Sequence, residues 1–177
     1  KRAGTVTFDP TNFPTAATLK TDANLGRLNI TTTLGDTDGD GDFDALYSLG
    51  ARSFSVWDAN TGAQVFDSKN ELDKKANELK IYDDGRSDDK GVEPESIAIG
   101  RVGSKTIAVV GMERADAFAI YDITTPTAPV FIKMYKTGDA PEGIIFIPAS
   151  KSPINQSLIV ISSENDGLVK IYKSTKL

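Results

Sequence analysis

Pro94-Glu95-Ser96-Ile97 returns as Pro141-Glu142-Gly143-Ile144, 47 residues further along the chain. Ile107-Ala108-Val109-Val110 returns as Leu158-Ile159-Val160-Ile161, and Phe118-Ala119-Ile120-Tyr121 as Val169-Lys170-Ile171-Tyr172, each 51 residues on. The extra four residues fit in the polar stretch Ser150–Gln156. A period of this length marks a repeat architecture, in which each unit buries its apolar face on its neighbour. A looser, earlier copy holds Leu46-Tyr47-Ser48-Leu49 followed by Phe54-Ser55-Val56-Trp57-Asp58.

Each copy reads as strand, turn, strand, turn, strand. Fourth strands are expected at Ala63–Phe66 and Val130–Met134, after the turn sequences Asn60-Thr61-Gly62 and Pro126-Thr127-Ala128-Pro129. Four short antiparallel strands in about 45 residues is the pattern of a β-propeller blade. The expectation is an all-β fold of three to four four-stranded antiparallel sheets, an incomplete propeller with one short inserted helix. Residues 25–177 would form C-terminal blades and residues 1–24 a connector, with a short helix near Thr15–Thr21. A β-sandwich also uses short strands at regular spacing and stays open as the alternative. The inserted helix is read from Ser68-Lys69-Asn70-Glu71, a capping-box pattern, followed by Leu72, Ala76 and Leu79 at helical spacing. So few blades leave apolar sheet faces bare, so the expected partner is the remainder of a parent propeller or a second copy of the chain.

Composition removes several classes of function. The chain has 177 residues and a net charge of −5, with no cluster of Lys and Arg to meet a nucleic acid. No apolar run reaches the ~20 residues of a membrane-spanning helix. Cysteine and histidine are both absent. Disulfides, thiol chemistry and the Ser-His-Asp triad are therefore excluded. Any hydrolytic chemistry would fall to carboxylates, Lys, Tyr or a metal. The chain starts at Lys1-Arg2, which reads as a piece of a longer or processed protein.

Asp36-Thr37-Asp38-Gly39-Asp40-Gly41-Asp42-Phe43-Asp44 places five carboxylates at every second position. They repel one another unless a cation sits among them, and oxygen-only ligands select a hard ion such as Ca²⁺. Asp36, Asp38, Asp40 and Asp44 are read as side-chain ligands and Asp42 as a carbonyl ligand, with Gly41 at the sharp turn. Tyr47 stands where an EF-hand would carry its bidentate Glu. Both flanks read as strands, so the loop is expected to staple a hairpin. Millimolar extracellular calcium keeps such sites filled, which points to an extracellular, cell-surface or periplasmic location. A second acidic run, Asp83–Asp89, lacks this alternation and reads as either a cation site or a solvated loop with Arg86 and Lys90 as local counter-charges.

Glu95 and Glu142 hold equivalent places just before the innermost strands. In funnel-shaped propeller hydrolases a carboxylate there holds a metal that polarises a phosphoryl or carbonyl oxygen. The alternative is that Pro-Glu starts a strand and the carboxylate bonds local N–H groups. Glu113 and Glu164 form a second equivalent pair, 51 residues apart in the loop after the second strand, and are read as solvated loop residues in preference to metal ligands. Trp57, Tyr121 and Tyr172 are read as blade-packing residues rather than a ligand platform.

Four stretches carry a resemblance: Leu34–Asp42, Gly50–Asp58, Ser87–Glu95 and Tyr121–Pro126. Together they resemble the choice-of-anchor I propeller proteins, secreted or surface bacterial proteins often labelled alkaline phosphatase-like and related to animal mesenchyme-specific cell-surface glycoproteins. The resemblance spans nearly the whole chain but corresponds to the C-terminal part of the family's propeller. It implies a calcium-binding propeller module with a binding or display role. The alternative it implies is a fragment of a metal-dependent phosphoesterase, with Glu95 and Glu142 as candidates for the catalytic metal site.

Overall fold

The computed structural model describes residues 1–174. The chain forms two units, Lys1–Ala51 with Asp84–Gly91, and Arg52–Asp83 with Val92 onward.

The first unit holds little regular structure. A single 3-10 turn at Ala3–Thr5 and one turn of helix, α1 (Ala16–Leu19), occupy the N-terminal part. Its core is Ala3, Val6, Phe8 and Ile30, with Phe13, Leu19, Leu28 and Phe43 packed around them. Isolated bridges join Ile30 to Ser48 and Phe8 to Phe43. Leu46–Leu49 is therefore not a strand of a blade, and the acidic loop is not flanked by paired strands as its sequence predicts. The chain there spends its hydrogen bonds on loop closure instead: the Asp44 and Ala45 N–H groups both donate to the Gly35 carbonyl, at 2.8 and 3.1 Å. The Asp84–Gly91 segment is fastened by ion pairs. Asp88 bonds Arg2 and lies 3.6 Å from Arg27, and Asp89 pairs with Arg86 at 3.3 Å. The second acidic run thus carries arginine counter-charges.

The second unit is built of antiparallel sheets. β1 (Ser55–Trp57) pairs with β2 (Gln64–Asp67), and α2 (Glu71–Glu78) follows. β3 (Pro94–Val102), β4 (Lys105–Met112), β5 (Ala117–Asp122) and β6 (Val130–Lys136) form a four-stranded meander in chain order. β7 (Pro141–Ile147), β8 (Leu158–Ser163) and β9 (Val169–Lys173) form a three-stranded one. The fold is all-β, a set of antiparallel blades that do not close a ring. Among the described residues one blade carries all four strands, and the other sheets have two and three.

The register repeats pair by pair. Ile97 lies opposite Val110 as Ile144 lies opposite Ile161, and Ala98 opposite Val109 as Ile145 opposite Val160. The ladder ends alike as well: the Ile123 N–H donates to the Thr106 carbonyl at 2.8 Å, and the Ser174 N–H to Ser157 at 3.0 Å.

Period-two alternation sends the two faces of β3–β6 into different cores. Ala108, Val110, Met112, Ala119, Tyr121 and Met134 join Leu72 and Ala76 of α2, while Ile107, Val109, Phe118 and Ile120 meet Ile159 and Ile161 of the next sheet. Val109 and Ile120 are buried as the repeat predicts, but Val160 is only partly buried and Ile171 is 65% exposed. Those two belong to the outward face of β7–β9, against which no further sheet packs among the described residues. The capping box is also redirected. Ser68 Oγ accepts the Phe54 N–H at 3.0 Å, and the Glu71 carboxylate accepts the Tyr121 hydroxyl at 3.0 Å, so Asn70 is the N-cap and makes no side-chain cap. Of the three apolar helix residues, Leu72 and Ala76 are buried and Leu79 is exposed.

Candidate functional site

Two groups of carboxylates stand out, one in each unit. In the acidic loop Gly39 and Gly41 have φ of +82° and +99°, a conformation open to glycine and costly for other residues. That backbone curls the chain around Asp36, whose two carboxylate oxygens accept the N–H groups of Gly39 at 2.7 Å and Gly41 at 3.1 Å. Carboxylate oxygens of Asp36, Asp38 and Asp40 lie within 4.8 Å of one another.

Asp42 and Asp44 stand elsewhere, in a second triad with Asp9 at the same spacing. Asp44 is held there by Thr37, whose N–H and hydroxyl both donate to Oδ2 at 2.7 Å, and by Asn12 at 3.3 Å. The Thr37 bonds draw the Asp44 carboxyl below its ordinary range. Asp42 is pushed up, by partial loss of water and then by the charges of Asp40, Asp9, Asp44 and Asp38. Alternate spacing identifies five of the six carboxylates; Asp9 is remote in sequence and reaches them because its N–H donates to the Phe43 carbonyl at 3.0 Å.

The second group gathers the glutamates. Glu93 and Ala140 precede Pro94 and Pro141, and both adopt left-handed φ of +53°. A ladder irregularity follows in each case, between Pro94 and Ser96 and between Pro141 and Gly143, so Glu95 and Glu142 both sit on bulges. Bulges re-aim side chains at the ends of strands. The next loop is tied to the same place in both copies, with the Glu113 N–H on the Glu93 carbonyl at 3.0 Å and the Glu164 N–H on Ala140 at 2.9 Å.

The result is two triads that share one member. Glu93, Glu95 and Glu113 come within 4.8 Å, as do Glu113, Glu142 and Glu164. The two equivalent pairs that the sequence treats separately are thus one cluster. Glu93, which the sequence reading passes over, is 2% exposed and lies 3.7 Å from Arg114 Nε. Glu113 is 6% exposed, with Arg114 Nη2 at 2.8 Å. Burial is the main influence on Glu113 and pushes its carboxyl up; Arg114 opposes this, while Glu95 and Glu93 add to it. Both groups offer oxygen donors alone, the set that suits Ca²⁺ and Mg²⁺ rather than softer metals.

Comparison with known proteins adds two matches. The choice-of-anchor I domain model matches residues 1–126. Gigasin-3a of Magallana gigas is 31% identical over 185 residues, a match taking in 85% of this chain. The chain spans 65% of the length of that relative. No solved structure matches. Among the described residues no helix is long and apolar enough to cross a membrane.

Proposed function

This chain belongs to the choice-of-anchor I domain family, and from that premise we propose that it is a calcium-binding β-propeller module of a secreted or cell-surface protein, with a binding or display role. The observation that carries the calcium reading is the convergence of Asp36, Asp38 and Asp40 within 4.8 Å on a loop turned by two left-handed glycines. Three carboxylates held this close repel one another, and a hard divalent ion removes that repulsion while taking oxygen ligands. The unit that holds the loop has little regular secondary structure, so a bound ion would contribute much of its rigidity. The ion is structural in this reading. It is tested by calorimetric titration of the chelated protein with CaCl₂, with an Asp36→Asn/Asp38→Asn/Asp40→Asn variant as reference. Saturable binding lost in the variant supports the reading; equal heats from both proteins refute it.

One observation favours a second reading, in which the parent protein is a metal-dependent phosphoesterase. Glu113, with Arg114 beside it, joins Glu95 and Glu142 into a single acidic cluster, the kind of carboxylate set a catalytic ion requires. A generic phosphoester assayed with and without added calcium separates this reading from the first.

A further inference from the structure

We infer that Asp116 is a positioning residue of the glutamate cluster: it pins the turn before β7 and so brings Glu142 of the three-stranded sheet against Glu113 of the four-stranded one. The inference rests on the second reading above and deepens it, because the cation of that reading is then shared between two blades. Every residue involved belongs to the second unit.

The repeat separates what the fold needs at this position from what the side chain adds. Asp116 closes the loop after β4 with φ of +50°, and Gly167, its counterpart in the next copy, closes the loop after β8 with φ of +65°. Both loops require the left-handed conformation, and glycine meets that requirement at no steric cost. Aspartate tolerates it better than most residues, but glycine suffices for the turn itself. What Asp116 adds is a bond across the junction between the two sheets. Its Oδ1 accepts the Ala140 N–H at 3.0 Å, and its carbonyl accepts the Thr137 N–H at 2.7 Å.

Ala140 is the residue on which the aim of Glu142 depends. It is buried, has φ of +53°, and directly precedes Pro141 and the bulge that carries Glu142. Asp116 holds its N–H from the four-stranded sheet, while the Glu164 N–H holds its carbonyl at 2.9 Å from the three-stranded one. The turn is thus fastened from both sides, and Glu142 comes within 4.8 Å of Glu113 and Glu164. Carboxylates take a hard divalent ion only where their oxygens converge. Asp116 touches none of these three side chains and acts on them through the Ala140 backbone. Losing its acceptor frees the fastening across the junction and leaves the one from Glu164, so cation affinity suffers before the fold does.

The test is a CaCl₂ titration of the isotopically labelled 177-residue protein, followed by NMR. Amides of Glu113, Glu142 and Glu164 report the glutamate cluster, and those of Asp36–Asp44 report the aspartate loop. Asp116→Gly keeps the left-handed turn, as Gly167 does in the next copy, and removes only the acceptor. It should weaken the calcium response of the three glutamates by about 10- to 100-fold, the usual cost of losing a group that orients metal ligands. The melting midpoint and the response of the aspartate loop should stay nearly unchanged. Asp116→Asn keeps an acceptor in the same place and should restore most of the affinity. An unweakened Asp116→Gly overturns the proposal, and so does an Asp116→Asn as weak as Asp116→Gly. Loss of the melting midpoint and of both calcium responses together in Asp116→Gly would make the role one of general stability and overturn it as well. If the glutamates of the unaltered protein never saturate, the second reading fails and takes the proposal with it. The aspartate loop is judged separately in the same spectra.

Discussion

The ring of Phe146 lies directly over the α-carbon of Gly100: a Cβ built there would stand 2.2 Å from the ring carbons. β3 and β7 can pack this closely only because one of them offers no side chain at the contact. Val102 and Phe146 both belong to the apolar cluster between the two sheets.

Gly100→Ala should therefore push β7 off β3 and destabilise the second unit by about 1–3 kcal/mol, the usual cost of overpacking a close contact. Urea unfolding monitored by circular dichroism reads this as a lower midpoint at unchanged slope. A variant as stable as the parent protein would mean that the sheets part easily at this point.

Tyr121 donates its hydroxyl to Glu71 at 3.0 Å and joins α2 to the middle of the four-stranded sheet. Burial, and then the charge of Glu71, push the phenol well above its ordinary range, so it stays a donor through alkaline pH. Tyr121→Phe should cost about 1.5–3 kcal/mol, the range for a hydrogen bond to a charged group. Glu71→Gln, which keeps an acceptor, should cost less. Equal losses would assign the effect to packing.

Exposure separates two residues at the same place in the repeat. Ile120 is 8% exposed between two sheets, while Ile171 is 65% exposed on the outward face of the last one, near Ile145 and Val169. Ile171→Thr should change stability by no more than about 0.5 kcal/mol and improve solubility by breaking an apolar patch. Ile120→Thr should destabilise by about 1–3 kcal/mol. Thermal unfolding and light scattering check both. If Ile171→Thr is as damaging as Ile120→Thr, that face is covered in solution.

The repeat made β3 to β9 legible because paired strands carry a period-two pattern and each copy repeats the same register. Bulges at Glu95 and Glu142 were not legible; only their shared Pro-Glu sequence hinted at a common role. The first copy misled for a physical reason. Residues 46–49 read as a strand of a looser, earlier copy, yet Tyr47 and Leu49 are 48% and 54% exposed, and Leu46 packs with residues 1–30 and not into a ladder. Asp9 and Glu93 escaped because their neighbours arrive through tertiary contacts. Asp9 has no spacing pattern of its own, and Glu93 is recognisable only by its left-handed turn before Pro94.

Acid sensitivity is expected from the turn after β5. Asp122 accepts a hydrogen bond from the Thr124 N–H at 3.0 Å and pairs with Lys105 at 3.0 Å. Thr124 first, and Lys105 after it, hold the carboxyl down at about 2. A depressed acid stabilises the fold above its unfolded value, near 3.8, and loses that contribution as protons bind. Stability should fall as pH drops from about 4 to about 2, and Asp122→Asn should flatten that part of the profile. Urea midpoints at pH 5, 3.5 and 2.5 measure it. An unchanged slope in the variant would shift the acid sensitivity to other carboxylates.

The two aspartate triads can be separated by what calcium does to each. Asp36, Asp38 and Asp40 face one another, whereas Asp44 is already engaged by Thr37 and Asn12 and stands with Asp9 and Asp42. If the first triad is the principal site, Asp38→Asn should remove most of the calcium-induced stabilisation. At calcium a hundredfold above the dissociation constant that stabilisation is about 2.7 kcal/mol, or about 5–10 °C in Tm for a chain of this size. Asp9→Asn relieves a repulsion felt by Asp42 and should raise Tm slightly in chelator while leaving the calcium-induced shift intact. Scanning calorimetry in EDTA and in CaCl₂ compares the three proteins. Loss of the calcium shift in Asp9→Asn, with retention in Asp38→Asn, would move the ion from the first triad to the second. Loss in both would mean that the two triads close around one ion and that Asp9, remote in sequence, is one of its ligands.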